Sequence, residues 1–420
     1  MSASSHSVSP STVLGGAYQT RRLDFENFHD IAITSEAVRS AADESAPIIC
    51  AELQTGVMRD RPRLYASDVD LLLKTSAANG LNGLNCYMFS GGVNLPGMGC
   101  LGSVHDWQAP VSLDGSIKPH FSAVESWGRF VRKFGAALAD TKKVVDTAFG
   151  FYLPYFATEY FSGAWSARVE FLRQAYFFDG IGRLLVLANV HFSITDLLKE
   201  TAESLSGRGS LCVFSLEFMD EKTQELLAGY VNAGGKLLIG PILPKKDLSG
   251  KSCEILIKSL DLSAETQAQI EMVTWNGFEF LPDFPIQVLK GSDHVLARTA
   301  GGAPCAILGN RGRGRWLAYG FGLLHNYDYQ VEMLKSWLAG LGVRPNLSAD
   351  PWDLQAVARW KDDHGFLFIF NYHDQDKSGV VSFAPSWEKI RPFHKRISLA
   401  RRTSIVIPLK LKDKKIMEVK

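Results

Sequence analysis

The sequence predicts an α/β protein that contains part of a (β/α)₈ barrel, a doubly wound α/β domain and a small antiparallel β-domain. The order strand, helix, strand, helix between residues 48 and 140, with the longest loops after the strands, is typical of two consecutive units of such a barrel. Short apolar strands then alternate with amphipathic helices. Beyond residue 345, strands follow one another without helices.

These patterns divide the chain into four segments. Residues 1–30 are polar and are expected to be poorly ordered; the partial barrel, the α/β domain and a β-sandwich-like domain are predicted at 31–144, 145–343 and 344–420. A complete barrel needs about 250 residues. The barrel segment is much shorter, so the predicted barrel is partial.

Each element of the barrel segment has its own signal. The stretch IICAEL is a continuous apolar run of strand length, which favours a strand buried on both faces. The next helix is expected between the N-cap Ser67 and the stop signal Gly80. In chain order, the predicted elements are a helix at 35–47, a strand at 48–53, the capped helix, a strand at 83–92 and a helix at 120–140.

The α/β domain is predicted to contain a parallel sheet, because apolar runs such as SLCVFSLEF and GKLLIGP alternate with helical patterns, including one at 331–342. None of its cysteines stands in a G-x-C-x-G turn after a strand, so we expect no catalytic centre there. In the last segment, LQAVARW, GFLFIFNYH and TSIVIPLKL are expected to be antiparallel strands.

The overall charge excludes several classes of partner. The 45 Lys and Arg residues balance 44 Asp and Glu residues, which leaves a net charge of +1 and no basic field for nucleic acid or an anionic membrane. No stretch reaches the roughly 18 apolar residues of a membrane span, and the Ser-rich start lacks the pattern of a signal peptide. We therefore expect a cytoplasmic protein.

The six cysteines are scattered along the chain without a C-x-x-C pair. This spacing favours free thiols over a disulfide framework or a zinc site. No metal and no cofactor is predicted.

The residues best suited to chemistry lie where the two barrel strands end. Glu52 is near the C-terminal end of the first strand, where a carboxylate can point into the mouth of a barrel. Its alternative role is structural, as an acceptor for neighbouring backbone N–H groups. Asn85 and Tyr87 share one face of the second strand, and Asn94 follows its Gly-Gly turn; an ordinary strand end is the alternative there.

His105 and Trp107 lie in the loop beyond the second strand. A Trp ring can pack on the C–H face of a sugar while polar groups bind its hydroxyls. The loop therefore fits a sugar pocket, with a simple packing anchor as the alternative for Trp107.

Together the stretches ICAELQTG, GLNCYMFSGGVN and GSVHDWQAPVSLDG resemble the last third of the catalytic barrel of family 35 β-galactosidases, whose patterns are roughly E-x-x-x-G, N-x-Y-M-x-x-G-G-T-N and S-Y-D-Y-D-A-P. The resemblance covers about residues 45–130. It implies the last two strand–helix units of the barrel and a retaining β-glycosidase for β-galactosides or related β-glycosides, with Glu52 as the nucleophile. The implied sugar-facing residues are Asn85, Tyr87 and Asn94, to which we add His105 and Trp107 as substrate-binding residues.

Two departures leave the identity of the sugar open: Val93 replaces the family's Thr, and His105 replaces a pocket Tyr. The middle segment resembles the amidotransferase-like domain that follows the barrel in family 42 and in archaeal exo-β-glucosaminidases. GGKLLIGPILP and GRGRWLAYGFGLLH carry this resemblance. It implies a structural domain that pairs protomers into a homo-oligomer or walls the pocket.

A retaining glycosidase needs two carboxyl groups about 5 Å apart. In the resembled clan the acid/base is a Glu directly after an Asn, and the sequence contains no Asn-Glu pair. We therefore expect the chain to be inactive alone. Three explanations stay open: a separate subunit supplies the first part of the barrel, the gene is truncated or decayed, or the fold is a different one. A non-catalytic carbohydrate-binding or scaffold subunit is the rival function.

Overall fold

The computed structural model describes residues 2–4, 22–42, 46–56, 63–99, 102–157, 163–267, 269–282, 286–291, 294–387 and 390–419. The chain forms two compact units. Unit 1 comprises Met1–Val144 together with Asn346–Lys420, and unit 2 comprises Val145–Pro345. Among the described helices, none has the length and apolar character needed to cross a membrane.

The first part of unit 1 contains a small parallel sheet. Its elements are β1 Ser2–Ser4, α1 Phe28–Ala41, β2 Ile49–Gln54, α2 Ala66–Ala78, β3 Gly83–Tyr87, β4 Gly92–Val93, β5 Val104–His105, α3 Phe121–Asp140 and β6 Lys142–Lys143. β1, β2 and β3 are parallel neighbours in that order. β2, α2 and β3 thus form one strand–helix–strand unit, as the sequence predicts.

The helix expected at 35–47 is displaced in the structure. α1 begins at Phe28 and ends at Ala41, because Phe28 and Ile33 are buried and extend its packed face towards the N-terminus. Residues 22–30 therefore belong to the described, packed structure, contrary to the poorly ordered segment expected at 1–30. Residues 5–21 of that segment lie outside the described residues.

α2 starts slightly earlier than its predicted cap. The Asp68 carboxylate accepts a hydrogen bond from the Tyr65 backbone N–H at 2.9 Å, so Asp68 rather than Ser67 satisfies the free donors at the helix start. Gly80, with φ +95°, follows the helix end as predicted.

Unit 2 is an α/β unit with one large sheet. Its elements are β7 Thr147–Phe151, a 3₁₀ turn Leu153–Tyr155, α4 Ala164–Arg173, a π-helical segment Gln174–Gly182, α5 Arg183–Leu187, β8 Phe192–Asp196, α6 Ala202–Ser206, β9 Ser210–Ser215, α7 Glu221–Asn232, β10 Lys236–Pro241, α8 Ile255–Ser259, β11 Ser263–Thr266, β12 Val273–Trp275, β13 Phe278–Phe280, β14 Gln287–Lys290, β15 His294–Thr299, β16 Pro304–Arg311, β17 Gly314–Tyr319 and α9 Tyr329–Gly340.

The large sheet has nine strands in the order β13-β12-β15-β16-β17-β10-β9-β7-β8. The five strands from β17 to β8 are parallel, and their order is the 2-1-3-4-5 order of doubly wound sheets. The other four strands are antiparallel, so the prediction of a parallel sheet is wrong for this half. Asn276 and Gly277 both have positive φ and join β12 to β13 in a two-residue hairpin.

The last part of unit 1 is antiparallel. Its strands are β18 Leu347–Asp350, β19 Gln355–Lys361, β20 His364–Asn371, β21 Lys377–Phe383, β22 Phe393–Leu399, β23 Thr403–Lys412 and β24 Lys415–Glu418. They form two sheets, β24-β23-β20-β19-β6 and β18-β21-β22. Side chains from both sheets share one core, which includes Leu367, Ile369, Val381 and Phe383. This is the arrangement of a β-sandwich.

The sandwich and the parallel part belong to the same unit because buried polar contacts join them. The Arg359 guanidinium, 3% exposed, donates to the Ala77 carbonyl at 2.5 Å and to the Thr141 carbonyl at 2.6 Å. Burial lowers the Arg359 pKa to about 10, and the cation stabilises the C-terminus of α2. Arg402 also forms a buried ion pair with Asp68.

Candidate functional site

Glu52 lies in an irregular part of β2. The pairing of β2 with β3 shifts register between Cys50 and Leu53, so Ala51 and Glu52 form a bulge. Such bulges re-aim side chains near active sites. Leu53 is fully buried, whereas Glu52 is half-buried. The Asn85 side chain on β3 donates to the Ala51 carbonyl at 2.8 Å, which links a predicted sugar-facing residue to the backbone directly before Glu52.

Four of the other predicted residues form a continuous chain of contacts. His105 Nε2 lies 2.7 Å from Asn94 Oδ1. Because Asn94 Nδ2 donates to the Gly102 carbonyl, Oδ1 is the acceptor and His105 Nε2 carries the proton. The rings of His105 and Trp107 are 5.4 Å apart, and those of Trp107 and Tyr87 are 6.5 Å apart. The structure therefore brings Asn94, His105, Trp107 and Tyr87 together.

The glycines of the two strand-end motifs allow the loop after β3 to approach the strands. A Cβ at Gly56 would lie 2.7 Å from the Ala109 Cα, and a Cβ at Gly91 would lie 2.6 Å from Asp106 Oδ1. The Asp106 carboxylate also accepts from the Leu113 N–H at 2.8 Å and faces Lys118 Nζ at 3.4 Å. These contacts fix the loop on both sides of Trp107.

His120 is a positioning residue that the sequence analysis did not identify. It is 4% exposed, and its Nε2 lies 2.6 Å from the Gln108 carbonyl. Burial lowers the His120 pKa, and hydrogen bonds to the Gln108 and Thr55 backbones only partly oppose this shift. The side chain thus connects the loop after Trp107 to the end of β2. A single His before a helix gives no sequence signal for this role.

The groups available here are aromatic ring faces, polar side chains and one half-buried carboxylate. Tyr87 and Trp107 offer ring faces, while Asn94 and His105 offer polar groups. The buried Nδ1 of His105 has no hydrogen-bond partner among the described residues. Asp106, the nearest carboxylate in the sequence to this group, is engaged by Lys118 and the Leu113 backbone.

The corresponding edge of unit 2 is closed. Ligands of doubly wound sheets bind outside the C-terminal ends of strands such as β7 and β9. The buried Tyr152 and Tyr155 occupy that position: Tyr152 Oη donates to Asp220 Oδ2 at 2.7 Å, and Tyr155 Oη donates to the Phe218 carbonyl at 2.7 Å. Burial raises the pKa of Cys212, within β9, to about 12, so this thiol is not a reactive nucleophile.

The chain is similar to several proteins named for reactions on glycosides. A family described as "GLMA-like, second domain" matches residues 162–302. Two solved β-galactosidases have the same fold at 14% identity. That of G. stearothermophilus, from glycoside hydrolase family 42, has a TM-score of 0.71 over 93% of this chain and 57% of its own; that of Bacillus circulans has 0.70 over 91% and 58%.

Two curated relatives are more similar in sequence. The "Beta-1,2-glucosyltransferase" of Ignavibacterium album is 28% identical over 408 residues, 93% of this chain and 56% of that protein. The "Exo-beta-D-glucosaminidase" of Pyrococcus horikoshii is 27% identical over 341 residues, 75% of this chain and 42% of that protein. The chain thus spans about half the length of the curated relatives it matches.

Proposed function

We propose that this chain carries the nucleophile part of a retaining β-glycosidase site, with Glu52 as the nucleophile and Asn85, Tyr87, Asn94, His105 and Trp107 around the sugar. The observation that carries the proposal is the arrangement at the ends of β2 and β3. A half-buried carboxylate sits in a strand bulge, and a fixed aromatic and polar group follows the neighbouring strand. The named activities of the relatives support the same class of substrate.

In this mechanism the Glu52 carboxylate attacks the anomeric carbon as the bond to the leaving oxygen breaks. An acid protonates that oxygen, and the same group later removes a proton from the water that cleaves the glycosyl ester. The acid/base residue is proposed to come from barrel units that lie outside the given residues. On this proposal the chain is inactive alone. It acts in the cytoplasm, and the reaction needs neither metal nor cofactor.

A second outcome of the same intermediate is favoured by one observation. The relative that covers 93% of this chain is named a glucosyltransferase. In a retaining mechanism, a sugar hydroxyl can take the place of water and receive the glycosyl group from the enzyme ester. Glycosyl transfer is therefore the alternative function, with the same nucleophile.

The test combines the chain with the part of the Ignavibacterium album protein that it does not match, produced as a separate polypeptide, and supplies aryl β-galactosides and β-glucosaminides. We expect turnover only from the mixture. Glu52→Gly should abolish it, and azide should restore cleavage with inverted anomeric configuration, because azide occupies the space of the carboxylate. Adding an acceptor sugar and identifying the products by NMR separates transfer from hydrolysis. Undiminished activity of Glu52→Gly without azide would contradict the proposal.

A further inference from the structure

The segment that connects β8 to β9 crosses one face of the large sheet, because β7 lies between these two strands. Leu197 identifies that face: an added Cβ at Gly150 of β7 would lie 3.1 Å from the Leu197 side chain. The helix of this segment, α6, has five residues. It spans only about 7.5 Å, whereas a strand of the same length such as β7 spans about 16 Å. The helix is therefore too short to cover the strands below it.

Small side chains leave this face open near the starts of β7 and β8. Ala148 pairs with Ser193, so both side chains lie on the same face as Gly150, two residues further along β7. The result is a cavity of about 380 Å³ whose lining includes Asp146, Ser193, Ser204 and Arg208. It lies at the N-terminal ends of these strands, the opposite edge from Tyr152 and Tyr155.

Arg208 is held at this cavity by Glu200. Arg208 Nη2 donates to Glu200 Oε1 at 2.7 Å, and Glu200, whose side chain is 7% exposed, also accepts from the Thr195 and Ser204 hydroxyls. Burial would raise the Glu200 pKa, but the hydrogen bonds from Ser204 and Thr195 and the charge of Arg208 outweigh this and lower it. Glu200 thus stays a carboxylate and fixes the guanidinium. The other side-chain N–H groups of Arg208 have no partner among the described residues.

Ser193 and Asp146 supply further polar groups. Ser193 is half-buried, and its hydroxyl forms no hydrogen bond with a described residue. The Asp146 carboxylate accepts from the His191 backbone N–H at 2.7 Å, which fixes it beside the start of β7. The lining therefore contains a carboxylate acceptor, a guanidinium with unused donors and a hydroxyl that can donate and accept.

We propose that this cavity binds a small neutral polyol with the size and chemistry of a free monosaccharide. Each hydroxyl of such a ligand can donate to a carboxylate and accept from a guanidinium at the same time. The charges of Arg208 and Glu200 offset each other, so Asp146 disfavours an anion, while the Arg208 guanidinium opposes a cation. An apolar ligand would leave the polar groups of the lining without partners.

The size of the cavity agrees with this ligand class, since ligand sites usually measure about 300 to 1,000 Å³. Every residue that lines the cavity belongs to unit 2. The inference therefore goes beyond the proposed function and does not depend on Glu52.

Saturation-transfer NMR on the full chain tests the proposal, with D-glucose and D-galactose as probes. We expect at least one of the two sugars to give a signal with the wild-type chain, and the signal to persist in Trp107→Ala, because that variant weakens only the candidate site of unit 1. Inorganic phosphate should not displace the sugar. A signal that Trp107→Ala abolishes would place the sugar in unit 1 and overturn the proposal.

Filling the cavity is the first localising variant. Ser193→Leu should weaken sugar binding about tenfold or more, because the larger side chain occupies the space of the ligand and removes a hydroxyl. Ser263→Leu, at an exposed serine of β11 in the same unit, is the matched control and should leave the affinity unchanged. Circular dichroism shows whether each variant is folded.

A second variant keeps the test decisive if Ser193→Leu does not fold. Arg208→Lys preserves a cation beside Glu200 but loses the fork of donors, so we expect roughly threefold weaker binding or more. Arg344→Lys, at an exposed arginine of unit 2, should have no effect. No signal with either sugar, displacement by phosphate, or an affinity indifferent to every folded cavity variant would each overturn the proposal.

Discussion

Each unit contains parallel strands whose C-terminal ends meet at one edge, and the two edges differ in what occupies them. In unit 2, Tyr152 and Tyr155 are buried at the ends of β7 and β9 and satisfy Asp220 and the Phe218 carbonyl. In unit 1, Glu52, Tyr87, Asn94 and His105 are half-buried, Asn85 is exposed, and His105 Nδ1 lacks a described partner. The C-terminal ends of parallel strands thus form a packed edge in unit 2 and a candidate site in unit 1. The side chains at each edge make the difference.

The largest expected effect is on glycoside turnover, and it distinguishes Glu52 near the end of β2 from Glu217 near the end of β9. In the complemented enzyme, Glu52→Gln should lower glycoside turnover on the order of 10⁴-fold or more, because the nucleophile acts in the covalent step. Glu217 is the second residue after β9, is exposed and pairs with Lys246 at 3.2 Å. Glu217→Gln should leave turnover unchanged in the same assay. Equal losses in both variants would remove the distinction between the edges.

At the edge of unit 2, where Tyr152 and Tyr155 are buried, we expect a substitution to change the free energy of unfolding. Tyr152→Phe removes the hydroxyl that donates to the Asp220 carboxylate and accepts from the Asp220 N–H at 3.0 Å. We expect the free energy of unfolding to fall by about 1 to 3 kcal/mol, as for hydrogen bonds to charged groups, measured by urea denaturation. Tyr327→Phe, at a 47% exposed tyrosine of the same unit, should change it by less than about 0.5 kcal/mol. A similar loss in both variants would show that the Tyr152–Asp220 contact is unimportant.

At the edge of unit 1, we expect a substitution to change the affinity for sugar. Trp107→Ala removes the ring between Tyr87 and His105, and we expect sugar affinity of the complemented enzyme to fall about tenfold, or about 1.4 kcal/mol. Inhibitor titration by calorimetry measures it. Trp387→Ala, at an exposed tryptophan of the sandwich, is the control. Unchanged affinity in Trp107→Ala would make this ring a packing anchor only.

The smallest effects are pH-dependent and fall in different windows. Burial lowers the His120 pKa, so the folded protein keeps this ring neutral while the unfolded chain takes up a proton below about pH 6.5. Its contribution to stability is therefore present above that pH and is lost as pH falls. His120→Gln should flatten the fall of unfolding free energy between about pH 7 and pH 5.

Asp220 gives the counterpart in unit 2. Burial would raise its pKa, but hydrogen bonds from Thr223 and Tyr152 outweigh this and lower it. Its contribution is present above the ordinary pKa of about 4 and is lost below it, so Asp220→Asn should alter stability only in that acidic range. The difference between variant and wild type is the measurement in both cases, because His373 in the sandwich also has a pKa lowered by burial. Identical pH profiles for variant and wild type would contradict either assignment.

Local patterns predicted much of the fold. The strands that became β2 and β3 and the helix that became α3 were found because apolar runs and helical spacing are properties of neighbouring residues. The predicted start of α1 was wrong because the burial of Phe28 depends on partners far away in the sequence, such as the stacked Tyr372 ring. The antiparallel half of the large sheet was missed although Asn276-Gly277 is a recognised hairpin signal.

The candidate site was predictable only in part. Glu52 and Tyr87 stand out because they lie near the C-terminal ends of apolar strands, and Trp107 because it lies in the loop beyond them. The contacts of Asp106 with Lys118 and of His120 with Gln108 could not be predicted, since each joins two points of a loop whose path has no periodic pattern.

The pairing of β6 with β19 has a consequence for synthesis of the chain. Arg359 and Thr141, which meet in this contact, are 218 residues apart. At about 5 to 20 residues per second, roughly 10 to 40 s separate their emergence from the ribosome. The whole of unit 2 is translated in that interval, so it can fold before Arg359 is available to bind the Ala77 carbonyl at the end of α2. We therefore expect aggregation during expression to arise from the first part of unit 1, up to Val144, which is made before its partners in the sandwich.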